Sequence, residues 1–140
     1  MKHLLTHIFI ALLHLVVCTQ LFAQEQQKSA LLFDLPTIDL GHIEEDGGPV
    51  ASFFEAVNTS NDTIEVRNIS TTCGCTTAEY DKKVIPAGEK FRFKVTFNPL
   101  SRPGRIDKHI FVQTSDATEE IRLSIIGYVN ARERTVEELY

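Results

Sequence analysis

The sequence is poor in basic residues relative to acidic ones: 14 Lys and Arg stand against 19 Asp and Glu, a formal net charge of −5. Because Lys2 is the only charged residue among the first 23, the rest of the chain carries 13 basic and 19 acidic residues, a net charge of −6. Nucleic-acid-binding proteins usually present a basic patch or stripe. The charge therefore argues against a nucleic-acid partner.

Other features that the sequence lacks narrow the function further. There is no nucleophile-elbow pattern, no phosphate-binding glycine loop and no internal repeat. We therefore predict no enzymatic activity and no cofactor. Three asparagines begin N-x-Ser/Thr sequences: Asn58, Asn61 and Asn68. We interpret them as residues in or beside turns rather than as glycosylation sites.

Trp is absent and Met occurs once, whereas Phe occurs nine times in a chain that is 43% hydrophobic and 24% charged. That composition excludes a disordered or fibrous protein, and its Phe content favours strands. The 140 residues are expected to form one domain.

The first 23 residues have the form of a secretory signal peptide. Lys2 precedes an apolar run over 8–17, which is too short for a comfortable membrane span of about 20 residues. We predict cleavage after Ala23, a polar linker over 24–30, and a mature protein in the periplasm or cell envelope. An alternative is lipoprotein processing at Cys18, in which case the protein would be attached to a membrane.

The region 31–130 shows strand patterns separated by turns. The clearest alternation is Lys90–Phe97, in which every second residue is Phe or Val; such period-two patterning marks a half-buried strand. We also expect a first strand pair, Leu31–Leu35 and a segment containing Ile38, Leu40 and Ile43, broken at Pro36. The charged tail, 131–140, is predicted to be a frayed helix or disordered. The predicted core consists of Phe54, Ile64, Val66, Phe91, Phe93, Val95, Phe97, Ile110, Val112, Leu123 and Ile125.

About seven short strands, with turn signals every 8–12 residues, indicate an all-β protein. Helical patterns do not alternate with the strands, so a parallel α/β sheet is not expected. The predicted fold is an immunoglobulin-like antiparallel β-sandwich.

Cys73-Gly74-Cys75 is the one local motif with chemistry in it. Cα atoms two residues apart in an extended strand are about 6.6 Å apart, near the upper limit for a disulfide. A bend at Gly74 would shorten that distance. Four interpretations stay open: two small residues at a bend, a local disulfide, a redox pair, or a metal site.

The metal interpretation needs more ligands than the two thiolates unless the metal is Cu(I). After the leader, only His42 and His109 supply imidazoles, and they are far apart in sequence. We therefore predict no metal site, with Cys73 and Cys75 as the alternative ligands.

Several short motifs together resemble the bacterial family known as domain of unknown function 1573. They are Asn58-Thr59-Ser60, Ser70-Thr71-Thr72-Cys73-Gly74-Cys75-Thr76, Ile85-Pro86-Ala87-Gly88-Glu89, Val95-Thr96-Phe97-Asn98-Pro99 and Arg102-Pro103-Gly104. The resemblance implies an immunoglobulin-like sandwich of the major-sperm-protein and cilia-associated (ASH) type, with no assigned reaction.

These observations leave two main functional hypotheses. The first is a non-catalytic exported module that binds an unknown protein partner or has a structural role in the cell envelope. The second is a thiol-based metal-binding or redox protein that uses Cys73 and Cys75. A third, an accessory enzyme subunit, has no specific support in the sequence.

Overall fold

The computed structural model describes residues 27–133 of the chain, and within this range it contains nine strands and no helix. No helix in this part of the chain is long and apolar enough to cross a membrane. The strands are β1 (Leu31–Phe33), β2 (Thr37–Glu44), β3 (Val50–Asn58), β4 (Ile64–Thr71), β5 (Thr76–Glu79), β6 (Val84–Ile85), β7 (Lys90–Phe97), β8 (Gly104–Thr114) and β9 (Ile121–Asn130). The predicted leader, Cys18 and most of the charged tail lie outside the described residues.

The strands form two sheets, which we call sheet A and sheet B. Sheet A has the order β1-β3-β7-β5, and sheet B has the order β2-β9-β8-β4-β6. All neighbouring strands are antiparallel except β2 and β9, which are parallel. The predicted all-β sandwich is confirmed, with one parallel pair in a fold expected to be antiparallel throughout.

The core lies between the two sheets and is rich in phenylalanine. All eleven predicted core residues are buried, and Phe54 stacks on Phe93 with ring centroids 5.4 Å apart. Alternation along β7 places its three phenylalanines inside and its basic residues outside or partly exposed. Further buried side chains that were not predicted include Leu31, Phe33, Cys75, Ile85 and Ile106.

The expected first strand pair was wrong. β1 pairs with β3 in sheet A, whereas β2 pairs with β9 in sheet B. The chain crosses between the sheets at 34–36, and the Pro36 carbonyl accepts a hydrogen bond from the Ser124 N–H at 2.9 Å. Proline therefore interrupts the run of apolar residues at the point where the chain changes sheets.

The last residues of the predicted linker are attached to the sandwich by Asp116. Its carboxylate accepts hydrogen bonds from the Ser29 hydroxyl at 2.9 Å and from the Ala30 N–H at 2.7 Å. Partial burial acts to raise the pKa of Asp116, but the hydrogen bonds, led by that from Ala30, outweigh it and hold the pKa below its usual value. The ionised carboxylate thus fixes the entry of the chain into β1.

Candidate functional site

The Cys73-Gly74-Cys75 motif forms the crossover from β4 in sheet B to β5 in sheet A. A disulfide joins the two cysteines, whose Cα atoms are 5.2 Å apart. This is shorter than the spacing of about 6.6 Å in an extended strand, because the chain turns at Gly74. The structure therefore brings the two sulfurs together at the end of β4.

Hydrogen bonds hold the backbone of this turn independently of the sulfurs. The Thr76 N–H donates to the Cys73 carbonyl at 3.0 Å, and the Asn98 N–H donates to the Cys75 carbonyl at 2.9 Å. The Thr71 hydroxyl bridges the turn, at 3.2 Å from the Cys73 carbonyl oxygen and 2.9 Å from the Thr76 carbonyl oxygen. These bonds fix the positions of both cysteines in the turn between β4 and β5.

The two sulfurs have different surroundings. Cys75 is 4% exposed and belongs to the core, whereas Cys73 is only partly buried and packs against the core from the side. The Cys75 N–H donates to Cys73 Sγ at 3.0 Å. Gly74 between them is exposed, and a Cβ built on it would meet no atom within 4 Å other than those of its two chain neighbours. Cys73 is therefore the more exposed of the two cysteines.

Neither His42 nor His109 joins the cysteines in a group that could hold a metal ion. His109 lies on β8 with Nδ1 3.0 Å from Ser124 Oγ and Nε2 2.7 Å from an Arg122 nitrogen. Since arginine only donates, Nε2 is the acceptor in this pair, and Nδ1 carries the proton. His42 lies on β2 against Tyr128, with ring centroids 5.4 Å apart. Among residues 27–133, no group of three or more His, Cys, Asp or Glu side chains is arranged to hold a metal ion.

A second candidate site, which we call the β1 groove, lies at the opposite edge of sheet A. Its volume is about 360 Å³, and its lining includes Leu31, Leu32, Phe33, Pro36 and Ile121. Leu32 is 61% exposed, and Leu35, in the crossover beside it, is 63% exposed. One feature of the sequence indicated this surface. Leu32 lies between the buried Leu31 and Phe33, so on a strand its apolar side chain points to the opposite face.

Among residues 27–133, β1 has a neighbouring strand on one side only, so the backbone beside the β1 groove is a sheet edge. The Asp34 N–H donates to the Glu55 carbonyl of β3 at 3.0 Å, and residues in an antiparallel ladder alternate between facing their partner and facing away. The backbone N–H and C=O groups of Leu32 therefore face β3, whereas those of Leu31 and Phe33 point away from β3. The Leu31 N–H is capped by the Ser29 hydroxyl at 3.1 Å, and the groups of Phe33 face the open edge.

The sequence model of a family described as "Protein of unknown function (DUF1573)" matches residues 31–129. The chain belongs to the DUF1573 family. The matched range runs from β1 almost to the end of β9, so it includes both the cysteine turn and the β1 groove. None of the curated proteins matches the chain.

Solved structures similar to this DUF1573 domain confirm the predicted fold type. A protein of unknown function from Porphyromonas gingivalis W83 has a TM-score of 0.60 and 16% identity over 76% of this chain and 50% of its own. The VesB protease of Vibrio cholerae has a TM-score of 0.55 and 14% identity over 71% of this chain and 32% of its own. WR4, a major-sperm-protein family member from C. elegans, has a TM-score of 0.52 and 10% identity over 73% of this chain and 99% of its own. The DUF1573 chain thus spans half or less of the first two proteins and nearly all of the third, and at these identities the likeness concerns the fold alone.

Proposed function

We propose that this DUF1573 protein is a non-catalytic module of the cell envelope that binds a protein partner at the β1 groove. The observation that carries the proposal is the pair of exposed leucines, Leu32 and Leu35, beside the outer edge of β1, which has no neighbouring strand among the described residues. Extended peptides bind such edges by adding a strand, and side-chain pockets next to the edge give specificity. The β1 groove offers both elements within a few residues.

The energetics of the β1 groove favour a partner that covers it. Fully burying a leucine side chain contributes about 1.5–3 kcal/mol, and Leu32 and Leu35 are each more than half exposed. The lining of the groove also includes charged residues, among them Lys28, Glu119 and Glu120. An apolar centre with a polar rim is the usual anatomy of a protein interface.

The non-catalytic part of the proposal is supported by the structural use of polar side chains. Asp116 fixes the start of β1, as described above. Asn58 ties the end of β3 to the Ile85 carbonyl of β6 at 2.9 Å. His109 is held between Ser124 and Arg122 on the outer face of sheet B.

The export part of the proposal rests on the sequence of residues 1–23. Intact-mass measurement of the protein from its native host tests it, together with fractionation of the cells. The expected mass begins at Gln24, in a periplasmic or envelope fraction. A mass that begins at a lipid-bearing Cys18 would replace cleavage after Ala23 with membrane attachment, and an uncleaved cytoplasmic chain would overturn export.

The binding site is tested by a double substitution, Leu32→Asp with Leu35→Asp. Leu32 lines the β1 groove, and Leu35 is next in sequence to Pro36, which also lines it. Leu100 is the matched control because it is a 52% exposed leucine in the β7–β8 connection, which contributes no residue to that lining. Affinity isolation from native envelopes, quantified by mass spectrometry, should recover a partner with the wild type and with Leu100→Asp. The double variant should lose it while keeping a wild-type circular dichroism spectrum. Equal recovery by the folded double variant would contradict binding at this groove.

A further inference from the structure

We propose that Cys73 and Cys75 form a reversible thiol–disulfide exchange site, in which Cys73 reacts with external thiols and Cys75 is the resolving partner. This site is separate from the β1 groove, because β5 and β1 are the two opposite edges of sheet A. The proposal rests on three properties of the turn: unequal access to the sulfurs, a hydrogen bond to one of them, and a backbone that is held without the disulfide.

The difference in burial decides which sulfur is attacked. Exchange requires in-line approach of a thiolate to a disulfide sulfur, so access controls the choice. Cys75 is 4% exposed and lies in the core, while Cys73 is partly exposed beside the open space at Gly74. An external thiolate therefore reaches Cys73 Sγ and not Cys75 Sγ.

The hydrogen bond at Cys73 favours its thiolate once the disulfide is reduced. The Cys75 N–H donates to Cys73 Sγ at 3.0 Å, and a donor aimed at a sulfur stabilises its charged form. The thiolate is the nucleophilic form of cysteine. In the reduced protein, Cys73 is thus both the more accessible and the better-stabilised nucleophile.

The backbone hydrogen bonds of the turn allow reduction without loss of the site. The Cys73 and Cys75 carbonyls accept bonds from Thr76 and Asn98, and neither bond involves a sulfur. On the β4 side, the Thr72 N–H donates to the His109 carbonyl at 3.1 Å. The disulfide closes a loop of only three residues, so its loss frees little chain entropy. The two thiols stay juxtaposed, which favours rapid closure of the disulfide.

Reduction of the cysteine pair takes two successive exchange steps. A thiolate from an external thiol bonds to Cys73 Sγ, the Cys73–Cys75 bond breaks, and its electron pair leaves on Cys75 Sγ, which takes up a proton. A second external thiolate attacks the external sulfur of this mixed disulfide, and Cys73 leaves as a thiolate. Two external thiols are oxidised to one disulfide, and the cysteine pair gains two electrons. The reverse sequence transfers those electrons from the pair to an external disulfide.

The test compares Cys75→Ser, which leaves only Cys73 at the turn, with Cys73→Ser, which leaves only Cys75. Each purified variant is incubated with glutathione disulfide, and peptide mapping of the turn excludes any signal from Cys18. We expect Cys73 in the first variant to form the mixed disulfide roughly tenfold faster or more than Cys75 in the second. The wild-type pair should be reduced by dithiothreitol without denaturant and stay folded by circular dichroism.

Equal rates in the two folded variants, or reduction of the wild type only in denaturant, would overturn the proposal. If either serine variant fails to fold, the wild type itself supplies the comparison. After brief reduction under native conditions it is alkylated with iodoacetamide, and mapping shows which cysteine is labelled first. Cys73 is expected; first labelling of Cys75, or equal labelling, contradicts the assigned roles.

Discussion

Asn58 holds a loop and two sheets together, and its removal provides the sharpest test of the packing. The side chain is fully buried at the end of β3. Its amide nitrogen donates to the carbonyls of Asp62 at 2.8 Å and Ile85 at 2.9 Å. Its carbonyl oxygen accepts from the N–H of Ser60 at 3.0 Å and from its hydroxyl at 2.7 Å. Asn58 thus joins sheet A, the 59–62 turn and β6.

Asn58→Ala removes all four of these side-chain hydrogen bonds, and the bond to the Ile85 carbonyl is buried. A buried unsatisfied group costs about 1–3 kcal/mol, and a partly exposed hydrogen bond contributes about 0.5–1.5 kcal/mol. We therefore expect the free energy of unfolding to fall by roughly 2–4 kcal/mol. For a domain of about 100 residues this lowers Tm by about 10 °C or more. Asn58→Asp should cost more at neutral pH, because a carboxylate cannot donate to the two carbonyls.

Urea unfolding followed by circular dichroism measures the change. Asn61→Ala is the matched control, since Asn61 is an exposed asparagine of the same turn, and it should stay within about 0.5 kcal/mol of the wild type. If Asn58→Ala and Asn61→Ala lose the same stability, the hydrogen-bond argument for Asn58 is refuted.

Three further predictions concern stability. Phe93→Ala removes a ring that is 1% exposed and should lower the unfolding free energy by about 3–5 kcal/mol in urea titration; an unchanged midpoint would contradict its place in the core. Gly127→Ala should cost about 1–3 kcal/mol, because the new Cβ would lie 2.8 Å from the Gly41 carbonyl oxygen at a φ of +152°; wild-type stability would show that β2 and β9 are not so closely packed. Because the folded pKa of Asp116 is lowered, its stabilisation is present above the unfolded pKa of about 3.9 and is lost as pH falls through the folded value. Wild type should thus exceed Asp116→Asn in stability at neutral pH and lose that advantage in acid, as the pH falls below the unfolded pKa and through the lowered folded pKa, and a gap that does not change with pH would argue against the carboxylate's role.

The strands with regular alternation were predictable from the sequence, and two short edge strands, β5 and β6, were not. β7 places Phe91 and Phe93 on one face in strict period two, which predicts both the strand and its buried side. β5 reads Thr-Thr-Ala-Glu, and its buried position is Thr76, so no apolar pattern marks it. β6 has only two residues.

The partners of each strand depend on tertiary packing, which a single sequence does not encode. Leu31–Leu35 and the segment after Pro36 look like neighbours because they are adjacent in sequence, yet they enter different sheets. Asn58 lies in a cluster of turn residues, and its burial follows only from the carbonyls that converge on it. At the candidate site, the spacing of Cys73 and Cys75 predicted a close approach at a bend. Their unequal exposure depends on how the turn between β4 and β5 packs against the core, which the spacing does not show.

The parallel pairing of β2 with β9 constrains the order in which the domain assembles. Thr37 pairs with Ser124, 87 positions later in the chain, and β9 also completes β8 on its other side. Contacts so distant in sequence require a large loop to close before they form, which slows folding. When the chain emerges from a ribosome or a translocation channel with its N-terminus first, β2 has no neighbour until nearly all of the domain has followed. Sheet B is therefore completed last, although β2 is one of the first strands to appear.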